Sequence, residues 1–502
     1  MKPLPISKTL LLSLAFIEGG AVMCLELCSA KMLSPFFGTS IYVWAAVLGI
    51  TLTALMSGYY LGGYISAKYQ HAKTIFWLML AGGTLLTLTP IISSFLLPIT
   101  IHLNLLLGSI LSLLGFMFIP LFLFGSLSPL IINYLTHQAK DSGKSSGTVY
   151  AISTLGGIIT TFLVGFYTLP EYGITSTLYA YGILVMAVAT YSFIHNRTFK
   201  TPVAIVIILA ALSANFHDRF HGVNTLYTSD GILGQIKVIE RPHFDEKTQQ
   251  TKVYRELLVN NISQTIMDIN RPDESYWDYV DILMNNINAY KKGNQTLLLG
   301  LGGGTLFRQL QKQELEVEVV EIDARIETLA KDFFYIDPST EVVIDDARHY
   351  LNTNHKKYDI IIYDLYHSET PPVHLMTQEA FTEIKSILNP NGLLIINFYG
   401  YITGDKGKGA RSIYKTLAHC GYDTHLIATP GEESYRNLLF INSPTPLPAA
   451  TANSACIQKS SLALTDAYLL SDDRLLLEHI YLEAALEWRK NYNEFNTIPL
   501  LN

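Results

Sequence analysis

Charged residues are scarce in this sequence: they make up 15% of its 502 residues, against roughly a quarter in an ordinary soluble protein. They are also unevenly placed. Residues 1–216 carry 13 charged side chains with a net charge of +5, whereas residues 217–502 carry 64 with a net charge of −12. A single soluble domain is therefore excluded, and the composition predicts an apolar membrane part joined to an acidic globular part.

Basic residues do not outnumber acidic ones, and cysteines are few. The net charge of the chain is −7, which argues against a nucleic-acid partner because phosphate binding requires a basic face. Four cysteines exclude a disulfide scaffold, and none of them has the spacing of a metal ligand set. We therefore expect neither nucleic acid nor a bound metal.

Long apolar runs dominate the first part of the chain. A membrane span needs about 20 apolar residues. Six stretches reach this length, and a further stretch, 203–216, has only 14 residues. The run from Thr74 to Ala139 is free of charge and is long enough to hold one additional crossing. We therefore predict a multi-span domain of six to eight helices over residues 1–216. The six clear spans are 9–30, 41–66, 74–97, 103–134, 148–169 and 174–194.

Basic residues in the connections indicate the orientation of these spans, since positive charge collects on the cytoplasmic side. With Lys2 and Lys8 inside, six crossings would leave the globular part in the cytosol, and an odd number would place it outside. We predict a multi-pass protein of the cell membrane with a cytoplasmic globular part. The alternate connections that would then face the cytosol hold Lys68/Lys73, Lys140/Lys144 and Arg197/Lys200.

Two acidic residues, Glu18 and Glu26, lie inside the first span. A carboxylate within a membrane is costly and is a functional hypothesis by default. The structural alternative is that Glu26 pairs with Lys31, or that the two acids lie near opposite interfaces. We take the structural alternative as the expectation.

The pattern changes to short strands and helices from about residue 226. Residues 231–240 and 255–267 alternate as strands do, with Asn260-Asn261 placed as a hairpin turn. Beyond residue 274, buried strands alternate with helices, which indicates a parallel, doubly wound sheet.

The expected fold is therefore a multi-span α-helical membrane domain followed by a Rossmann-like α/β domain with a small β-hairpin subdomain at its start. The hairpin subdomain is expected over residues 217–270 and the Rossmann-like domain over 271–445. Residues 446–502 are expected to form a linker and a helix, to which we assign no chemistry.

A glycine-rich turn follows the first strand of that sheet, in the segment Leu297–Thr305 (LLLGLGGGT). Glycines there allow a tight strand-to-helix turn and close approach of the backbone to a ligand. Glu321 ends the next strand about 20 residues later, where a carboxylate can accept hydrogen bonds from a ribose diol. A dinucleotide site would show the same two features.

Further acids argue against a dinucleotide. Asp345 and Asp346 end the third strand and Asp364 ends the fourth. We expect carboxylates at four successive strand ends to form an acidic crevice, which repels pyrophosphate and suits a cationic nucleoside such as a sulfonium. Each acid alone could serve only as a helix cap or turn cap, for example before Arg348, but together they favour the cationic ligand.

These motifs resemble the spermidine synthase (polyamine aminopropyltransferase) family, in its form with an N-terminal multi-span membrane domain. The resemblance is specific over about residues 226–397. It implies that Asp364 is the catalytic aspartate. It further implies that Tyr276 and His367 contact the amine substrate. The residues implied to bind the nucleoside are Gln264, Gly300, Gly302, Gly304, the ribose-binding Glu321 and the adenine-binding pair Asp346-Ala347.

The resemblance implies transfer of an aminopropyl group from decarboxylated S-adenosylmethionine to a polyamine such as putrescine. The partners would be this amine, the sulfonium nucleoside and the lipid bilayer, with no tightly bound cofactor and with a homodimer left open. The attacking amine must lose a proton, and a carboxylate such as Asp364 is suited to accept it.

Two positions depart from the family pattern. The aspartate that holds the aminopropyl ammonium corresponds to Gly303, and a second aspartate near the catalytic one corresponds to His367, with His374 close by in sequence. One alternative is another S-adenosylmethionine-using enzyme, a methyltransferase or lyase, on the same scaffold. The other is a transporter that senses a nucleoside or polyamine, for which Glu18 and Glu26 are the best support.

Overall fold

The chain forms two compact units: Met1–Arg219 with Ser229–Ile236, and Phe220–Thr228 with Lys237–Asn502. The apolar stretch 203–216 and His367 lie outside the described residues. A computed structural model of the protein describes residues 6–38, 40–68, 72–139, 142–195, 223–231, 233–245, 250–366, 371–448, 456–474 and 476–501.

The first unit is helical. Short π-helical turns, Leu114–Phe118 and Val164–Thr168, connect α4 to α5 and α7 to α8. The helices are α1 (Lys8–Phe37), α2 (Ile41–Lys68), α3 (Ala72–Thr100), α4 (Leu105–Leu113), α5 (Ile119–Gly125), α6 (Leu127–Ala139), α7 (Ser142–Leu163) and α8 (Leu169–His195).

Five helical segments among the described residues are long and apolar enough to cross a membrane, judged by length and composition. The last of them, Ser142–Ile194, has 53 residues and leaves the helical conformation at Gly173, whose φ is +77°. This break accounts for the two spans that the sequence predicts there. Large apolar side chains such as Leu52, Met56 and Phe166 point outward, which suits contact with lipid better than contact with water.

The second unit begins with a small antiparallel sheet in the order β1-β2-β3-β4. Asn260 and Asn261 have φ of 50° and 62°, the left-handed conformation that a two-residue hairpin turn requires. The predicted hairpin is therefore confirmed. Its strands are β1 (Asn224–Ser229), β2 (Ile236–Asp245), β3 (Gln250–Val259) and β4 (Ile262–Asp268).

An eight-stranded sheet follows, in the order β12-β10-β11-β9-β8-β5-β6-β7. The strands from β9 to β7 are parallel, as predicted. The members are β5 (Gln295–Leu299), β6 (Glu316–Glu321), β7 (Val343–Ile344), β8 (Tyr358–Tyr363), β9 (Leu388–Tyr399), β10 (Asp423–Ala428), β11 (Asn437–Ser443) and β12 (Cys456–Ile457).

The prediction of a wholly parallel sheet is wrong, because β9, β11, β10 and β12 pair antiparallel. The connection from β10 to β11 is too short for the helical crossover that a parallel pair needs. The second unit is thus a Rossmann-like fold with a mixed sheet.

Helices cover this sheet. Leu297–Leu299 of β5 and Ile360–Ile362 of β8 are completely buried, as expected for central strands with helices on both faces. The helices are α9 (Asp278–Tyr290), α10 (Thr305–Lys312), α11 (Ala324–Phe333), α12 (Ala347–Thr353), α13 (Gln378–Ile387), α14 (Lys408–His419) and α15 (Leu476–Leu501).

Candidate active site

The carboxyl ends of β8, β5, β6 and β7 meet at one edge of the large sheet, where open α/β folds bind their ligands. Backbone hydrogen bonds fix the register at this edge, so the loops that follow the strands begin side by side. The N–H of Asp364 donates to Leu299 O (3.0 Å), that of Gly300 to Val320 O (2.8 Å) and that of Asp345 to Glu321 O (3.1 Å).

The expected acidic crevice needs one correction. Carboxylates follow three strand ends, at Glu321, Asp345 and Asp364, whereas the β5 end carries the glycine turn instead of an acid. Within the described ranges, no group of three or more His, Cys, Asp or Glu residues could hold a metal ion.

The glycine turn has the shape that its sequence predicts. Gly300, Gly302 and Gly304 all have positive φ, of 93°, 54° and 73°. A Cβ atom on Gly300 would lie 2.3 Å from the carbonyl oxygen of Asp364, so no other residue fits there. The turn brings the backbone of β5 directly against the loop that begins at Asp364.

Glu321 is buried, with 8% of its surface exposed. Its Oε2 accepts a hydrogen bond from the N–H of Leu301 (2.9 Å) and its Oε1 from the N–H of Asp323 (3.0 Å). Burial raises the pKa of this carboxyl, although the two N–H donors act in the opposite direction. Each carboxylate oxygen can accept a second hydrogen bond, so Glu321 keeps the capacity to accept from a diol.

Asp346 caps a helix, as the structural alternative predicted. Its Oδ1 accepts from the backbone N–H groups of Arg348 (2.8 Å) and His349 (3.2 Å) at the start of α12. Its Oδ2 lies 3.5 Å from Nε2 of His374. Ala347 follows it and is buried. One oxygen of Asp346 is therefore used by the fold, and the other faces a histidine.

Asp364 is held from two sides at the end of β8. Its Oδ1 accepts from Nδ2 of Asn397 (2.8 Å) and its Oδ2 from the hydroxyl of Tyr279 (3.0 Å). Burial raises the pKa of this carboxyl, and the two donors oppose the rise. A carboxylate fixed on a rigid strand, with a pKa above the ordinary aspartate value, has the properties of a general base.

Tyr279 and Asn397 were missed by the sequence reasoning. Tyr279 lies three residues beyond Tyr276, in the first turn of α9, and Asn397 follows the apolar run of β9, the strand next to β8. Tyr276 itself is 45% exposed and packs edge-to-face on Tyr254, with ring centres 5.4 Å apart. The tyrosine that reaches Asp364 is therefore Tyr279, and a role for Tyr276 in amine binding stays a prediction.

The strand β4 crosses the glycine turn and fills the space beside Gly303. Thr265 Oγ1 accepts from the N–H of Gly303 at 2.8 Å. A Cβ on Gly303 would lie 2.6 Å from Thr265 Cγ2 and 3.0 Å from the ring of Phe334. The backbone oxygen of Gln264 is 4.0 Å from a Cβ built on Gly302, so Gln264 also lies at the turn.

Residues 281–398 match the family model of the spermine/spermidine synthase domain. This segment contains strands β5 to β9 together with Glu321, Asp346 and Asp364. The site described above thus defines a Rossmann-like domain with an acidic edge, and this segment of the chain is similar to the spermidine synthase family.

Several curated proteins are similar to the chain. A probable polyamine aminopropyl transferase of Bifidobacterium longum is 29% identical over 167 residues, 33% of this chain and 37% of the relative. A polyamine aminopropyltransferase of Vibrio vulnificus is 34% identical over 131 residues, 25% of this chain and 44% of the relative. The chain therefore spans less than half the length of these two relatives.

Polyamine aminopropyltransferase 2 of Aquifex aeolicus is 25% identical over 433 residues, 81% of this chain and 82% of that protein. This similarity extends beyond the globular unit. Among solved structures, spermidine synthase from Thermotoga maritima covers 52% of this chain and 88% of its own, with 16% identity and a TM-score of 0.35.

Proposed function

We propose that the protein is a membrane-anchored aminopropyltransferase that transfers an aminopropyl group from decarboxylated S-adenosylmethionine to an amine such as putrescine. The observation that carries the proposal is Asp364, fixed by Tyr279 and Asn397 beside the glycine turn. The spermine/spermidine synthase domain and the names of the relatives support the same reaction.

The proposed chemistry is a displacement at carbon. The amine first gives a proton to Asp364, and its nitrogen lone pair then attacks the methylene bonded to the sulfonium sulfur. A C–N bond forms and the C–S bond breaks, with its electron pair going to sulfur, which leaves neutral methylthioadenosine. Because burial raises the pKa of Asp364, the carboxylate is a better proton acceptor than an exposed aspartate.

We assign the nucleoside and the amine to opposite parts of the carboxyl edge of the large sheet. Glu321 would accept from the ribose diol, and the close-packed turn would let the nucleoside approach the backbone. Tyr276 and His367 are assigned to the amine side. The other residues assigned to the nucleoside are Gln264, Gly300, Gly302, Gly304, Asp346 and Ala347.

The experiment is a single-turnover assay of methylthioadenosine formation from the decarboxylated donor and a panel of amines. The Asp364→Asn variant keeps the size of the side chain and removes the base, so the rate should fall about 100-fold or more. The matched control is Asp359→Asn, an acid on the same strand at the opposite edge, where it accepts from the N–H of Gln295. Equal rates for wild type and Asp364→Asn would refute the proposal.

A second candidate function is favoured by the contacts of Gly303. The resemblance places an ammonium-binding aspartate at this position, but Thr265 fills the space that its side chain would need. Without that aspartate, the pocket no longer repels the carboxylate of ordinary S-adenosylmethionine. A methyltransferase or lyase would therefore use the ordinary donor. Product analysis separates the two functions, because methyl transfer yields S-adenosylhomocysteine and aminopropyl transfer yields methylthioadenosine.

A further inference from the structure

The helical unit contains a buried acid that the proposed reaction does not use. Glu18 is 2% exposed, and its Oε2 accepts hydrogen bonds from Ser153 Oγ of α7 (3.0 Å) and Ser128 Oγ of α6 (3.4 Å). Both bonds end on Oε2. Three helices therefore converge on one carboxylate, whose Oε1 accepts no hydrogen bond from the described part of the chain.

The depth of Glu18 argues against the interfacial position expected from the sequence. Glu18 is ten residues beyond Lys8, the first residue of α1. At a rise of 1.5 Å per residue this is about 15 Å along the axis. The hydrocarbon core of a bilayer is about 30 Å thick, so Glu18 lies near its middle if α1 crosses it.

Close helix packing builds the surroundings of Glu18 and leaves little space there. A Cβ on Gly19 would lie 2.0 Å from the backbone oxygen of Ser153, and one on Gly156 would lie 1.9 Å from that of Phe16. Only glycine permits this approach of α1 and α7. The contact brings the Ser153 hydroxyl within reach of Glu18, and a proton bound to the carboxylate needs no further space between the two helices.

No basic side chain of the described residues pairs with Glu18. The groups that face it are Ser128 and Ser153, with Tyr59 of α2 within electrostatic range. The charged residues of the helices packed on α1 stand at helix ends: Lys68 of α2, Lys73 of α3, Lys144 of α7 and Glu171 of α8. Two hydroxyl donors do not neutralise a carboxylate in hydrocarbon, so Glu18 needs a cation.

The second acid of the helix has different surroundings. Glu26 is only half-buried, and the side chain of Thr51 lies beside it. The expected pair of Glu26 with Lys31 stays a prediction. Glu26 therefore serves as a matched control for Glu18, with the same charge on the same helix.

We propose that Glu18 is a proton-binding site at mid-depth of the helical unit, and that this unit moves protons across the membrane. A proton from one side binds at Oε1, neutralises the carboxylate and leaves to the other side. No bond other than O–H is made or broken. This activity is separate from the proposed aminopropyl transfer.

The first test measures proton binding by infrared spectroscopy on the full-length protein in lipid vesicles. The carbonyl stretch of a protonated carboxyl should appear and disappear as the pH is varied. Glu18→Gln should lose this titrating band and Glu26→Gln should keep it. A band that survives in Glu18→Gln, or no titrating band in wild type, would overturn the proposal.

The second test follows the pH inside the same vesicles with a dye while a membrane potential is imposed, with and without external putrescine. Wild type should move protons faster than protein-free vesicles in at least one condition. Glu18→Gln should lower the rate tenfold or more, and Glu26→Gln should leave it within twofold. Equal rates for wild type and Glu18→Gln, or movement of Na⁺ in place of protons, would refute the assignment.

A catalytic control keeps the two proposals separate. Glu18→Gln should form methylthioadenosine at the wild-type rate, which also shows that the variant is folded. If wild type forms no methylthioadenosine but moves protons through Glu18, the proposed reaction fails and the present inference stands.

Discussion

Asp364 owes its properties to two neighbours on different elements, Tyr279 of α9 and Asn397 of β9. Each donates to a different oxygen, and each favours the charged form of the carboxyl, while burial disfavours it. Replacing one neighbour changes the pKa of Asp364 without altering the carboxylate itself. Such a variant tests whether Asp364 is the general base.

Tyr279→Phe should move the low-pH limb of the rate profile to higher pH. A general base acts when deprotonated, so the rate falls as the pH drops through its pKa. Loss of the tyrosine donor destabilises the anion and raises the pKa of Asp364 further. At neutral pH we expect a fall of less than about tenfold, because the base remains.

Single-turnover rates as a function of pH provide the measurement. Tyr276→Phe, on the exposed tyrosine three residues earlier, is the control and should change KM for the amine with no movement of the pH limb. An unchanged limb in Tyr279→Phe would mean that Asp364 is not the titrating base.

Glu321→Ala should weaken binding of the sulfonium nucleoside at least tenfold, because a buried diol would lose its charged acceptor. Calorimetry on the full chain measures this directly. Glu316→Ala is the control, at the other end of the same strand, where its carboxylate accepts from Asn294. Unchanged affinity in Glu321→Ala would remove Glu321 from the site.

At the scale of elements, the strand ends were predictable because apolar runs stop at them. The buried run Ile360–Ile362 ends two residues before Asp364, and Val319-Val320 lead into Glu321. In a parallel sheet these ends must meet at one edge, so Glu321 and Asp364 could be placed together without coordinates.

Other features could not be predicted, because they depend on partners distant in sequence. The sequence of β10 and β11 does not show that β11 pairs antiparallel with both β9 and β10. The start of α9 at Asp278 places Tyr279, and not Tyr276, on the helix that reaches Asp364, and a helix start cannot be fixed to within three residues from the pattern alone. The space beside Gly303 depends on Thr265, which lies 38 residues earlier.

The packing of β4 on the glycine turn predicts how a side chain at Gly303 would change the stability of the protein. Gly303→Ala should destabilise the protein by about 1–3 kcal/mol, as overpacking usually does, because its Cβ would overlap Thr265 Cγ2. Adding Thr265→Ser removes that methyl group and should recover part of the loss. Thermal unfolding of the two variants measures both effects. Full stability of Gly303→Ala would show that β4 moves freely away from the turn.

In the whole molecule, charged and exposed apolar side chains are distributed unequally between the two units. The helical unit holds few charges and exposes apolar side chains, whereas the globular unit carries the net negative charge and the acidic sheet edge. From this composition we expect one unit to lie in lipid and the other in water. The side on which the globular unit lies then depends only on the number of crossings.

We expect the globular unit to face the cytosol. Sulfonium nucleosides are made and kept there, as the family resemblance implies, and six crossings place the paired basic connections on the same side. A reporter that is active only in an oxidising exterior compartment, fused after Asn502, should therefore be inactive, whereas a reporter that matures in the cytosol should be active at the same position. Fusions after Lys68 and after Thr100 calibrate the two sides. An active exterior reporter after Asn502 would mean an odd number of crossings, with 203–216 as the extra span, and would separate the globular unit from a cytosolic supply of its proposed donor.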